Sequence, residues 1–376
     1  MSAPPSLLAA LNEAVARGIF PGAVLAVRRS GELVRLLAVG RLSVDPPGPA
    51  VTPGTIYDLA SLTKPLSTTT SVALLIQQGQ CRLDDPIESL LPELGGLAVG
   101  PATIRQLLSH SSGLPGWRGF YERLSPNAVL PSTEQERSGA LRKVISLIGQ
   151  ESLVYRRGER SLYSDLGFIL LGAAIERRGG SRLDHYAARH VIEPTKAEPL
   201  GYLPSDEDGA ARRSSLSERI APTECDSWRG RLLVGEVHDE NAAALGGVAG
   251  HAGFFGMAEA VLAVSGAWLA AYHGRPSILD AELAREFVQR QDDISGSSWA
   301  LGWDTPSTPS SSGRYFSSKS FGHLGYAGTS VWIDPVCELE VILLSNRVHP
   351  TRRNEGIKMF RPLIHDLVYQ ECISGA

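Results

Sequence analysis

Cysteine is scarce in this chain. Its four copies, Cys81, Cys225, Cys337 and Cys372, stand far apart with no C-x-x-C pair, so neither a zinc site nor a disulfide framework can be read from them. A basic surplus is also missing. Thirty-six Lys and Arg against forty Asp and Glu leave a net charge of −4, which supplies no field for nucleic acid or an anionic membrane. No apolar run is long enough to cross a bilayer: the stretch from Ala258 to Tyr272 is fifteen residues and carries Glu259, where about 20 apolar residues are needed. The first residues have no basic lead-in, and their apolar positions are broken by Asn12 and Glu13, so they do not read as a signal peptide. The expectation is a cytoplasmic protein, or a periplasmic one if a leader precedes this sequence. Its partner is then a small-molecule or short-peptide substrate, with no nucleic acid and no membrane. Internal repeats are absent, and the serine-rich Ser307 to Ser318 is the one candidate mobile loop.

What the chain does have is an ordinary globular composition, 43% hydrophobic and 20% charged, and enough length for one large domain. Leu7, Leu8, Leu11, Val15 and Ile19 mark a first amphipathic helix. Two strand-like runs follow, Ala23 to Val27 and Glu32 to Val39, and Ser30-Gly31 between them signals a hairpin. From Ser61 to Leu301 the periodicity is mainly helical. Strands return only near the end, at Gly328 to Asp334 and Leu339 to Asn346, before a last amphipathic helix over Asn354 to Cys372. The fold class is therefore α+β: an antiparallel sheet flanked by the terminal helices, with a large helical insert. One domain spans 1–376, subdivided into a sheet part from 1–60 plus 301–376 and a mainly helical part from 61–300, with a cleft expected at the seam.

The chemistry concentrates at Ser61-Leu62-Thr63-Lys64. Three residues are about one helical turn, so the hydroxyl and the amine share a face and can touch. A serine becomes nucleophilic when a neighbour takes its proton, and an amine desolvated at a helix start can do so. Pro65 has no N–H to give and belongs in a first turn, so the helix should begin near Ser61, leaving the Ser61 N–H free to face an oxyanion. Gly79 is its expected C-terminal stop.

Two further motifs follow in order, Tyr163-Ser164-Asp165 and His323-Leu324-Gly325 ahead of a strand. This trio resembles the serine β-lactamase and penicillin-binding-protein superfamily, in its class C-like branch where tyrosine leads the second motif. Leu83 to Pro86, Thr103 to Pro115 and Gly322 to Ser330 look like stretches of the same branch, and the likeness runs from about residue 5 to 370. The resemblance implies a β-lactamase/transpeptidase-like fold and a serine hydrolase working through an acyl-enzyme on small esters or amides, of carboxylesterase or D-amino-acid-peptidase type. It implies Ser61 as nucleophile, Lys64 as proton acceptor or shuttle, and Tyr163, pushed toward phenolate by Lys64, as general base. The backbone N–H groups of Ser61 and Tyr326 would form the oxyanion hole.

Asp165, His323, Gly325, His251 and Trp303 are the expected substrate-side residues, Trp303 being as readily a core tryptophan as an acyl-pocket wall. His323 stands where the family often has lysine, and Asp165 where asparagine is common. Imidazole holds a substrate carboxylate less firmly than an ammonium, and the Asp165 carboxylate should raise the Lys64 pKa, so any β-lactam hydrolysis should be weak. The rival reading is a sensor on the same scaffold, acylated by peptidoglycan fragments or β-lactams without turnover. The Gly246 to Gly253 run lacks Gly-Lys-Ser/Thr and the spacing of a nucleotide loop. His238, Asp239, Glu240 and His251 have the side chains of metal ligands, but sequence neighbours rarely converge on one ion, so they are expected to bond to one another and fix a loop. No metal or other cofactor is expected.

Overall fold

The structure is a computed structural model that describes residues 6–374. α1 (Leu7–Ala16) is capped by the Ser6 hydroxyl, and after a Pro21 break the chain forms β1 (Gly22–Arg29) and β2 (Glu32–Gly40). Ser30 and Gly31 both take positive φ, 48° and 84°, the pair of left-handed residues that a two-residue hairpin turn needs to match strand twist. The chain then leaves the sheet for almost three hundred residues. It returns as β3 (Phe321–Leu324), β4 (Ser330–Asp334) and β5 (Leu339–Ser345), giving the antiparallel order β2-β1-β5-β4-β3. β1 and β5, from opposite parts of the sequence, are hydrogen-bonded neighbours, with Ala23 opposite Ser345 and Val27 opposite Val341.

β1 is apolar at every position from Ala23 to Val27 because both faces of the sheet are covered. Leu25 and Val27 point with Val341 and Leu343 into a core closed by α1 and the C-terminal helix Ile357–Tyr369, while Val24 and Ala26 point with Ile342 and Leu344 into the larger core beneath Ala258–Tyr272. That central helix is apolar on most of its surface, with Glu259 exposed in its first turn, because it is buried in the core. No helix among the described residues is long and apolar enough to cross a membrane.

The insert is less purely helical than the periodicity predicts. Tyr57–Asp58, Phe254–Gly256 and Gly201–Tyr202 form a second, three-stranded sheet, and Cys225–Asp226 pairs with Arg231–Leu232. Strands of two or three residues are too short to show alternation, which is why the sequence hides them. β3, four residues long, is a further strand that alternation does not announce. Two helices fall close to expectation: Thr70–Gln77 (α2) stops just before Gly79 with φ 71°, and Asp165–Gly179 (α3) is capped by Ser164 and stopped by Gly180 at φ 66°, whereas Glu207–Leu216 and Glu240–Ala244 are helices the periodicity does not announce.

Candidate active site

Ser61 does not open a regular α-helix. Ala60–Leu62 is a 3₁₀ turn, and Lys64–Thr69 is wound as a wider π-helical segment before α2 begins at Thr70. Ser61 in the 3₁₀ turn and Lys64 at the start of the π segment still share one face, and Lys64 Nζ lies 3.1 Å from Ser61 Oγ. Ala60 just before the nucleophile takes φ 48°, a left-handed conformation that a non-glycine residue holds only against surrounding restraint. The restraint is Asp58, fully buried, whose carboxylate accepts from Ala60 N at 2.8 Å and from His238 N at 2.7 Å. Nothing in the sequence pointed to Asp58, since a lone aspartate in a two-residue strand carries no periodic signal.

Lys64 is completely buried and uses its three protons on Ser61 Oγ, on Asp165 Oδ1 at 2.7 Å and on the His251 carbonyl at 3.1 Å. Burial opposes its charge, but the Asp165 carboxylate and the Tyr163 oxygen outweigh it and hold the amine above the ordinary lysine pKa. Tyr163 and Asp165 flank the N-cap of α3. Ser164 between them turns inward, its Oγ donating to Pro115 O, so its two neighbours both face the cleft. The ammonium sits 4.7 Å from the centre of the Tyr163 ring. Burial raises the Tyr163 phenol above its usual pKa, and Lys64 and Ser61 only partly offset this. Lys64 does push the phenol toward phenolate as expected, but desolvation of the anion outweighs that attraction, so the net direction for both Lys64 and Tyr163 is to hold their protons.

The opposite wall comes from the sheet. Gly325 N donates to Thr329 O at 2.7 Å, and Thr329 Oγ1 donates to Leu59 O at 3.0 Å, stitching the β3–β4 turn to the turn that carries Ser61. A Cβ on Gly325 would lie 2.5 Å from Leu59 O, so only glycine permits this approach. Ser61 N and Tyr326 N make no hydrogen bond to any described residue, and both residues line one cavity of about 480 Å³ with Tyr163, Asp165, His251, His323 and Gly325. Trp303 does not line it. It is buried against Trp268 and Phe321, 5.6 and 5.1 Å between ring centres, so the acyl-pocket reading of Trp303 is corrected. Trp299, 5.5 Å from Tyr163 and 5.6 Å from His323, and the half-exposed Trp117 supply the aromatic walls instead. Trp299 and Trp303 flank a reversal at Gly302, φ 76°, which sends one ring to the cleft and the other to the core.

The segment after Val237 is a frame for this site. Asp239 caps the helix Glu240–Ala244 and accepts from His251 Nε2 at 2.8 Å, His238 pairs with Glu224 at 2.9 Å, and Glu240 pairs with Arg352 at 2.8 Å. Arg352 also bonds Glu224, so His238, Glu224, Arg352 and Glu240 form one network beside the Asp239–His251 pair, and among the described residues no three metal-ligating side chains converge. The glycines that follow pack rather than bind: a Cβ on Gly172 of α3 would lie 2.9 Å from Gly250 N, and Thr68 Oγ1 donates to Gly250 O at 2.6 Å.

The comparison with known proteins agrees with this architecture. The family model described as Beta-lactamase matches residues 8–364. The chain belongs to the beta-lactamase family. An N-acetylmuramyl-L-alanine amidase of Bacillus subtilis (strain 168) is 30% identical over 353 residues, covering 88% of this chain and 78% of that protein. Among solved structures, EstCE1, described as a hydrolase with promiscuous acyltransferase activity, superposes with a TM-score of 0.72 at 23% identity over 96% of this chain and 97% of that one. The octameric penicillin-binding protein homologue from Pyrococcus abyssi does so with a TM-score of 0.69 at 21% identity, over 96% of this chain and 75% of that one. This chain is a serine hydrolase of the beta-lactamase-related kind.

The third motif of this chain opens on His323. His323 is almost fully buried, and burial together with the Lys64 charge lowers its pKa to about 3, so the imidazole is neutral at any working pH. Its Nδ1–H donates to Leu324 O at 2.8 Å, which leaves Nε2 as a bare acceptor with no partner among the described residues. A neutral acceptor cannot pair with a substrate carboxylate. His323→Ala is expected to lower kcat/KM by about tenfold, the loss of one hydrogen-bond's worth of fit, while leaving fluorophosphonate labelling of the protein intact. Complete loss of labelling in a folded variant would make the histidine an activating base and contradict this assignment.

Proposed function

We propose that the protein hydrolyses small esters or amides through an acyl-enzyme on Ser61, with carboxylesterase or D-amino-acid-peptidase substrates as its class and only weak action on β-lactams. The observation that supports this best is the buried Lys64 ammonium spent on Ser61 Oγ, Asp165 and the His251 carbonyl at the floor of the cleft. In the resting state Lys64 donates to the nucleophile, so the reactive form is the one in which the Lys64–Tyr163 pair has given up a proton. The pair then takes the Ser61 proton as Oγ attacks the carbonyl. Ser61 N–H and Tyr326 N–H receive the oxyanion, and the Tyr163 hydroxyl returns the proton to the leaving group. Water, deprotonated by the same pair, releases the acid. The amidase name of the Bacillus subtilis relative and the hydrolase title of EstCE1 support the ester and amide class.

The test is a panel of p-nitrophenyl esters, D-Ala-D-Ala peptides and nitrocefin, assayed with fluorophosphonate labelling mapped by peptide mass. Steady turnover of esters or D-peptides with Ser61 labelled supports the reading. A single burst of product without further turnover would mean an acylated sensor instead.

The pH dependence follows from the direction of the Lys64 and Tyr163 shifts. Both groups hold their protons above their ordinary pKa values, so kcat/KM should rise from neutral into alkaline pH as the pair deprotonates. Asp165 raises both, so Asp165→Asn should move this limb to lower pH, by an amount read directly from the two profiles. A limb that stays in place in Asp165→Asn, or moves upward, would show that the pair does not control the rate.

A further inference from the structure

The cleft does not end at His323. Leu324, Lys358 and Arg361 line both it and a second, larger cavity of about 1390 Å³ between the C-terminal helix Ile357–Tyr369 and the serine-rich loop of 305–319. Its lining is strongly cationic in a chain whose net charge is −4. Of its six cations, Arg314 pairs with Asp366 at 2.8 Å and Lys358 with Glu355 at 2.7 Å, and Arg290 feels the nearby Asp304 carboxyl, while Arg285, Lys319 and Arg361 have no carboxylate partner among the described residues. Arg285 and Arg290 are held by the carbonyls of Tyr272 and Pro306, so their positions are fixed.

Arg361 stands at the junction. It is almost fully buried, donates through one terminal nitrogen to Gly325 O and Thr329 O at 2.7 Å each, and leaves Nε with no partner among the described residues. Its guanidinium charge has no carboxylate partner among the described residues, so it adds to the positive potential at this end of the second cavity. Around it the loop contributes hydroxyls from Ser307, Ser310 and Ser318, and the helix contributes the exposed Met359 and Leu363. This mixture of fixed cations, hydroxyls and apolar ledges suits an extended peptide rather than a fatty acyl chain.

We propose that this second cavity is a subsite for an acidic short-peptide arm of the substrate, carrying carboxylates beyond the bond that Ser61 cleaves. The inference deepens the proposed function and rests on it for the cleavage step, but not for binding. Electrostatic complementarity would also speed encounter, so the preference should fade with salt.

Two p-nitrophenyl esters of equal length test it, one with a Gly-Glu-Glu arm and one with Gly-Gln-Gln. At low salt the acidic arm is expected to raise kcat/KM about tenfold over the neutral one, and the ratio is expected to fall to about one in the double variant R285E/K319E. In parallel, fluorescence anisotropy with fluorescein-labelled Gly-Glu-Glu and Gly-Gln-Gln peptides reads binding without chemistry, and circular dichroism of R285E/K319E, with the milder K319Q beside it, checks the fold. Equal kcat/KM and equal binding of the two arms by the native protein would overturn the subsite, as would an acidic preference that survives in the folded double variant. Preferential binding of the acidic peptide, lost in that variant, with neither ester turned over and Ser61 unlabelled, would uphold the subsite and fail the hydrolase reading instead.

Discussion

Ser61→Ala is expected to lower ester turnover by about four to six powers of ten and to abolish fluorophosphonate labelling, because the nucleophile and the base act as one unit whose loss leaves only binding and the oxyanion site. The other serines near the cleft have prior engagements. Ser109 and Ser111 share a buried hydrogen bond at 2.9 Å, and Ser164 donates to Pro115 O. Among the described residues, Ser61 alone combines an uncommitted backbone N–H with a lysine 3.1 Å from its oxygen. Labelling of any other serine in the native protein, mapped by peptide mass, would remove the foundation of the mechanism.

Lys64→Ala and Tyr163→Phe should each cost about a thousandfold in kcat, and the double variant little more than the worse of the two. Lys64 sits over the Tyr163 ring, and each appears among the influences on the other's proton affinity, so the two titrate as a pair and deleting either removes the same proton acceptor. Steady-state kinetics on all three variants decides it. Losses that multiply toward a millionfold would place the residues in separate steps and require a different base.

The three motifs were legible because each is a short string whose spacing carries its geometry: Ser61 and Lys64 within one turn, Tyr163 and Asp165 either side of a helix cap, Gly325 at a close approach. The first hairpin and the terminal helices were legible from alternation and from 3.6-residue periodicity. What the sequence could not show depends on tertiary surroundings. The proton state of Tyr163 is set by how completely the cleft desolvates it, and no local pattern reports that. Asp58 and Arg361 are single charged residues whose roles come from backbone groups distant in sequence, the Ala60 and His238 amides for one and the Gly325 and Thr329 carbonyls for the other. Trp299 and Trp303 differ only in which side of a glycine turn they occupy.

Because β1 pairs with β5, and the Ser61 turn is stitched to the β3–β4 turn, the reactive constellation has a built-in order of assembly. Contacts that join residues some three hundred positions apart bear a large loop-closure cost, so the central sheet should form late and slowly compared with the helices of the insert. During synthesis at a ribosome the serine, lysine and tyrosine are all made before the strand that brings the second oxyanion donor. A nascent chain therefore carries its nucleophile without the means to stabilise a tetrahedral intermediate, and hydrolytic competence arrives only when the final strands close the sheet.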